Sequence, residues 1–173
     1  MNEQQYRAVT DWARRSPSRL RLITALCRLL PVTLFVLYGL SSLYLLFYFF
    51  SGHFSARLLA FWIVPGLGFV SVSILRKRIN APRPYECFSF TPLLSHHTGK
   101  SFPSRHTACA FLIALSLLWL SEMGIFPSAL AWLALIFALL TGLSRLVAGL
   151  HFVRDVLAGI AWAVVFSCFY FLF

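Results

Sequence analysis

Five apolar runs, each long enough to cross a bilayer, leave this chain few folds to choose from. They cover 32–50, 58–75, 104–121, a run that starts at 123 or 128 and ends at 143, and 156–173. A hydrocarbon core about 30 Å thick is crossed by about 20 residues of helix, and it offers no water to an unpaired backbone group. The runs are continuous rather than alternating at period two, which favours helices over a membrane barrel. Composition agrees: 60% of residues are hydrophobic and 12% charged, with mean hydropathy +0.80. Soluble domains are about 45–50% apolar and about 25% charged. The expected fold is all-α, a polytopic membrane helix bundle of about five transmembrane helices.

Residues 1–30 differ from the rest. Arg7, Arg14, Arg15, Arg19, Arg21 and Arg28 alternate with Tyr6, Val9, Trp12, Leu20, Leu22, Ile23 and Leu26, and Ser16-Pro17 interrupts them. Two amphipathic helices lying at the membrane interface are predicted there, with Trp12 at headgroup depth. Pro31 suits a helix start, so the chain divides into an interfacial segment, 1–30, and a transmembrane domain, 31–173. Within the second run, Pro65-Gly66-Leu67-Gly68 predicts a kink or a close helix contact.

The formal charge is +10. These charges flank membrane runs instead of covering a soluble face, which argues against nucleic acid and leaves anionic lipid or a phosphorylated substrate. Cys27, Cys87, Cys109 and Cys168 lack metal-ligand or CxxC spacing and are read as structural.

Because successive spans alternate direction, the connection at 76–103 and the polar island at 144–155 fall on the same membrane face. Three clusters meet there. In the island, His151 and Asp155 are four residues apart, a spacing that puts both on one face of a helix. The carboxylate can then fix the imidazole tautomer and leave the other nitrogen as nucleophile or base. Arg145, just upstream, suits an anion. Taken alone, the stretch could equally be an interfacial loop whose charges mark a boundary.

The second cluster is Ser101-Phe102-Pro103-Ser104-Arg105-His106-Thr107. Ser104 is an N-cap candidate for the third span, whose backbone N–H groups would face an anion. His106, in the first turn, is placed to donate a proton to a leaving oxygen. In the third, running from Arg76 to Pro84, Arg83 stands between two prolines and is held stiffly for bidentate phosphate binding. Together these suit metal-free phosphoryl transfer through a phosphohistidine. No carboxylate cluster is available for a metal, and no cofactor is expected.

The three clusters resemble the type 2 phosphatidic acid phosphatase (PAP2) superfamily, whose pattern is KxxxxxxRP, PSGH and SRxxxxxHxxxD. The third motif is matched by Ser144, Arg145, His151 and Asp155. The second is Pro103-Ser104-Arg105-His106, with Arg105 where the family has Gly. The first runs from Arg76, at the Lys position, to Arg83-Pro84, and Lys77 is one residue out of register. The resemblance implies that His151 attacks phosphorus, Asp155 orients it and His106 protonates the leaving oxygen. Arg76, Arg83, Arg145, Ser104 and the Arg105 backbone N–H would hold the phosphate.

The implied protein is a multi-pass cell-membrane phosphatase acting on phosphatidate, phosphatidylglycerophosphate or undecaprenyl diphosphate, with membrane lipids as its other partners. The alternatives are a phosphotransferase with an acceptor other than water and a non-enzymatic lipid-phosphate binding or transport protein. The family's usual site is extracytoplasmic, whereas counting positive charges puts this face in the cytoplasm; the extracytoplasmic face is the expectation adopted. His96 and His97 match no motif and are expected on the loop surface.

Overall fold

The structure, a computed structural model, describes residues 1–94 and 98–172, and every regular element among them is helical. Helix α1 (Glu3–Arg14) is capped by Asn2, whose side chain accepts the Gln5 N–H at 2.9 Å while the Gln5 side chain accepts the Asn2 N–H at 2.9 Å. The break at Ser16-Pro17 occurs as expected. Tyr6, Thr10 and Ala13 form the buried face of α1 and pack on the protein, while Trp12 stays half exposed.

Helix α2 (Pro17–Phe50) is 34 residues long, about 51 Å at 1.5 Å per residue. It runs straight through Pro31, so the expected helix start there is not observed, and the 30/31 boundary lies inside one helix. Proline has no N–H for the carbonyl four residues back, that of Cys27. Arg145 supplies the missing donor: its Nη2 bonds the Cys27 carbonyl at 2.6 Å. A buried carbonyl left unpaired costs about 1–3 kcal/mol, and this bond removes that cost from across the bundle.

The remaining elements are α3 (Ala60–Ile79), entered by a 3-10 turn at Ala56–Leu59, the short α4 (Pro84–Cys87), α5 (Arg105–Glu122), α6 (Ser128–Val147) and α7 (Val153–Ser167), with a closing 3-10 turn at Cys168–Leu172. Among the described residues, four helical stretches are long and apolar enough to span a membrane: Pro17–Phe50, Ala56–Cys87, Ser128–Val147 and Val153–Leu172. The expected fifth, α5, is bounded by Arg105, His106 and Glu122 and is less apolar along its length. At about 27 Å it reaches between the same two ends of the bundle.

Helix α5 is the centre of the molecule, in contact with α2, α3, α6 and α7. Thr107 to Ala114, Ser116, Leu117 and Leu120 are all buried, whereas Val32, Phe47, Trp132 and Leu143 on the outer helices are more than half exposed. An apolar exterior suits lipid. Close approach to α5 depends on small residues. A Cβ on Gly159 would lie 2.7 Å from the Ser104 carbonyl oxygen, and one on Gly142 would lie 3.1 Å from Val156. The contact foreseen near Pro65 is realised at Gly68, which faces Leu112 and whose carbonyl accepts Trp162 Nε1–H at 3.1 Å.

The turns place the end of α3, the start of α5, the end of α6 and the start of α7 together, as alternation of the spans requires. Gly159→Ala should therefore separate α5 from α7 and cost about 1–3 kcal/mol, read as a lower thermal midpoint in detergent. Gly66→Ala, with nothing within 4 Å of the new Cβ, should leave that midpoint unchanged or raise it.

Candidate active site

The polar island begins where α6 ends. Gly149, at φ +73, takes a left-handed turn that a side chain would disfavour, and the chain then passes through His151 to Phe152, the N-cap of α7. His151 thus precedes the helix instead of lying on it, a departure from the helical pairing that its spacing suggests. Asp155 is the third residue of α7, and its Oδ2 reaches back to accept the Phe152 N–H at 3.0 Å. A carboxylate in the first turn favours the positive end of the helix.

Asp155 has no exposed surface and His151 is 1% exposed. Their Nδ1–Oδ2 separation is 3.5 Å, longer than an ordinary hydrogen bond of 2.7–3.2 Å. Ser101 completes the arrangement. Its hydroxyl donates to Asp155 Oδ2 at 2.5 Å and lies 3.4 Å from His151 Nδ1. With its own proton directed at the carboxylate, Ser101 Oγ turns lone pairs to the imidazole, so Nδ1 carries the ring proton and Nε2 keeps a free lone pair. Sequence reasoning assigned Ser101 no role, although it opens the second cluster.

Hydrogen bonds tie the three clusters together. Arg76 Nη1 donates to the Pro103 carbonyl at 2.6 Å, Arg83 Nη1 to the Leu150 carbonyl at 3.1 Å, and the Ser104 N–H to the Asp155 carbonyl at 2.8 Å. Arg83 also donates through Nε to the Gly99 carbonyl at 3.0 Å. Glu86 accepts the Arg83 and Gly99 backbone N–H groups at 2.7 and 2.8 Å, which closes the 83–99 connection on itself. Arg76, Arg83 and Arg145 are all buried.

Predicted phosphate ligands fall into two groups. Arg76, Arg83 and Arg105, joined by Lys77 and Lys100, line a cavity of about 340 Å³. Arg105 also lines, with His106, a neighbouring cleft of about 260 Å³ whose other walls include Pro31, Phe35, Phe69 and Cys109. Its guanidinium lies 6.0 Å from the Phe69 ring centre. Ser104 and Arg145 sit deeper. Ser104 Oγ pairs with Thr107 Oγ1 at 2.9 Å, while Arg145 holds Cys27 and keeps a buried Nε with no partner among the described residues. His106 is half-buried in the first turn of α5. Among the described residues, no three His, Cys, Asp or Glu side chains group as a metal site. His96 and His97 lie outside the described residues.

A second unforeseen residue approaches from the far end of the chain. The Tyr6 hydroxyl donates to the His151 carbonyl at 3.1 Å, across 145 positions. Its ring stacks on Phe90 at 5.3 Å and meets the edge of Phe152 at 6.1 Å. No local pattern marks Tyr6 out from other aromatics in an amphipathic helix.

The PAP2 superfamily model matches residues 56–173, more than half of the chain. Undecaprenyl-diphosphatase BcrC of Bacillus subtilis (strain 168) is 34% identical over 92 residues, which are 53% of this chain and 45% of that one. Lipid A 1-phosphatase of Rhizobium etli is 35% identical over 102 residues, 55% of this chain and 40% of the relative. The chain spans less than half the length of either. Among solved structures, Aquifex aeolicus LpxE superposes with TM-score 0.70 at 25% identity, over 99% of this chain and 95% of that one. A PAP2-type phosphatidylglycerolphosphate phosphatase from Bacillus subtilis gives 0.68 at 26% identity, over 96% and 83%.

Burial pushes the His151 imidazole down to about 4; the Asp155 hydrogen bond opposes this, and the charges of Arg83 and Arg76 reinforce it. The fold therefore favours neutral imidazole. That contribution to stability is full above the ordinary value of about 6.5 and is lost as pH falls toward 4. Side-chain nitrogen NMR should find His151 neutral at pH 6 with a midpoint near 4. A midpoint at or above 6.5 would contradict the buried geometry.

Proposed function

Because the chain belongs to the PAP2 superfamily and is a membrane protein, we propose that it hydrolyses the phosphomonoester or diphosphate of a membrane lipid through a phosphohistidine at His151. One observation carries the reading: Arg105 is a shared wall between a cationic cavity and an apolar cleft. A ligand with a phosphate at one end and a hydrocarbon chain at the other fits that junction. The cleft continues along Phe35, Phe69, Cys109 and Ile113 toward Tyr38 and Trp62. The relatives' names, an undecaprenyl-diphosphatase and a lipid A 1-phosphatase, support lipid phosphates as the substrate class.

The residues divide the chemistry as follows. Arg83 lines the cavity and holds the Leu150 carbonyl, and Leu150 is the chain neighbour of the proposed nucleophile, His151. His151 Nε2 attacks phosphorus, and the bond from phosphorus to the leaving oxygen, that of the lipid in a monoester or of the bridge in a diphosphate, breaks while His106 gives that oxygen a proton. Water then attacks the phosphohistidine, His106 takes the water's proton, and phosphate leaves with His151 restored. Asp155 and Ser101 hold the imidazole and disperse its developing charge. Arg76, Arg83 and Arg105 balance the charge on the phosphoryl oxygens, and Arg145, whose Nε has no partner among the described residues, offers a further donor for it.

The family resemblance supports an extracytoplasmic face for the site. Loop-charge counting points the other way, but Arg76, Arg83 and Arg145 are buried and hydrogen-bonded inside the fold. An impermeant thiol reagent that failed to reach a cysteine placed at Lys100 in sealed cells would reverse the assignment.

Phosphate release from lipid substrates in EDTA tests the function. The unaltered protein should turn over and be blocked by vanadate, and His151→Ala should abolish release while still folding. Release by His151→Ala at a near-normal rate would overturn the mechanism. In the same assay, Arg105→Gly should reduce kcat/KM about tenfold more on an isoprenyl diphosphate than on phosphatidate, the effect of one charge-assisted hydrogen bond to the second phosphate. Equal losses on both would confine Arg105 to the transferred phosphoryl group, and no loss on either would make it a wall residue only.

A further inference from the structure

The region matched by the family model starts at residue 56, yet the nucleophile loop is held by a residue far outside it. We propose that Tyr6 is a positioning residue for His151, acting through the peptide bond between His151 and Phe152; the catalytic part of this inference rests on the phosphatase reading above. That peptide is clamped at both ends. Its carbonyl accepts the Tyr6 hydroxyl at 3.1 Å, and its N–H donates to Asp155 Oδ2 at 3.0 Å. The same Oδ2 accepts Ser101 and faces His151 Nδ1.

Rotation of the peptide would therefore withdraw one of the donors that fix the carboxylate, and the carboxylate fixes the imidazole. Glycine at 149, in the left-handed region, gives the loop a neighbour that resists such rotation poorly. The Tyr6 hydroxyl supplies the restraint. Its own position is secured by the Phe90 stack, by full burial, and by Thr10, whose hydroxyl donates to the Tyr6 carbonyl at 2.8 Å. A Cβ at Gly149 would strike Phe90 at 2.6 Å, so tyrosine, phenylalanine and glycine form one packed layer over the loop. Helix α1, expected to lie at the membrane interface, thus acts as a strap across the site.

Tyr6→Phe removes the hydroxyl and keeps the ring. It should lower kcat about fivefold with KM unchanged, the effect of one neutral hydrogen bond. Hydrogen exchange at the Phe152 amide should rise by about the same factor, while the α5 core keeps its protection. Arg14→Ala serves as the comparison: Arg14 ties α1 to the Thr91 and Pro92 carbonyls at 2.8 and 3.1 Å without touching the His151 loop, and kcat should hold. Unchanged exchange at Phe152, an unchanged kcat in Tyr6→Phe, or an equal loss in Arg14→Ala would each overturn the proposal. If the unaltered protein released no phosphate, the phosphatase reading would fail instead, and the exchange measurement would still decide whether Tyr6 restrains the loop.

Discussion

A carboxylate with no exposed surface stands where three parts of the chain meet, and a buried charge of that kind persists only when its partners are fixed. Asp155 Oδ2 accepts the Ser101 hydroxyl and the Phe152 N–H and faces the His151 ring, while the Asp155 carbonyl takes the Ser104 N–H. The start of α5, the start of α7 and the end of the 83–103 connection are registered against one another through this one residue. Glycine at 159 lets α7 approach closely enough for the bond to Ser104. Loss of the carboxylate would therefore release Ser101 and the Phe152 N–H as well as the tautomer of the imidazole, while the backbone bond from Ser104 would remain.

The arginines play two physical parts that composition does not separate. Arg76 and Arg83 are spent partly on carbonyls of the other two motifs, so they position the loops and also give the cavity its charge. Arg145 goes further: it replaces the hydrogen bond that Pro31 removes from α2. A proline in the long helix and an arginine in the third motif thus become one structural unit. Guanidinium suits this work because it can bond a carbonyl and still keep a donor for an anion.

How much of this could be read from the residues depended on distance along the chain. The helical class, the break at Ser16-Pro17 and the close helix contact near Pro65 follow from apolar runs and local breakers. Arg76, Arg83, His106, His151 and Asp155 stand out through short, fixed spacings. Ser101, Tyr6 and the pairing of Arg145 with Cys27 do not, because each depends on a contact between residues 54, 145 or 118 positions apart. Pro31 misled for the same reason: its local rule is to start a helix, and a partner on α6 overrode it. The four-residue spacing of His151 and Asp155 identified the right pair but the wrong geometry, since the link is a helix cap reaching back and not two side chains on one helical face.

In the proposed mechanism a buried, neutral imidazole at His151 takes the phosphoryl group. Rapid quenching of the protein with a lipid substrate labelled in its phosphate, followed by peptide mapping, tests it directly. An alkali-stable, acid-labile label confined to the peptide that carries His151, and missing from His151→Ala, is the predicted result. A label on another residue, or turnover at full rate with no labelled protein at any quench time, would contradict it.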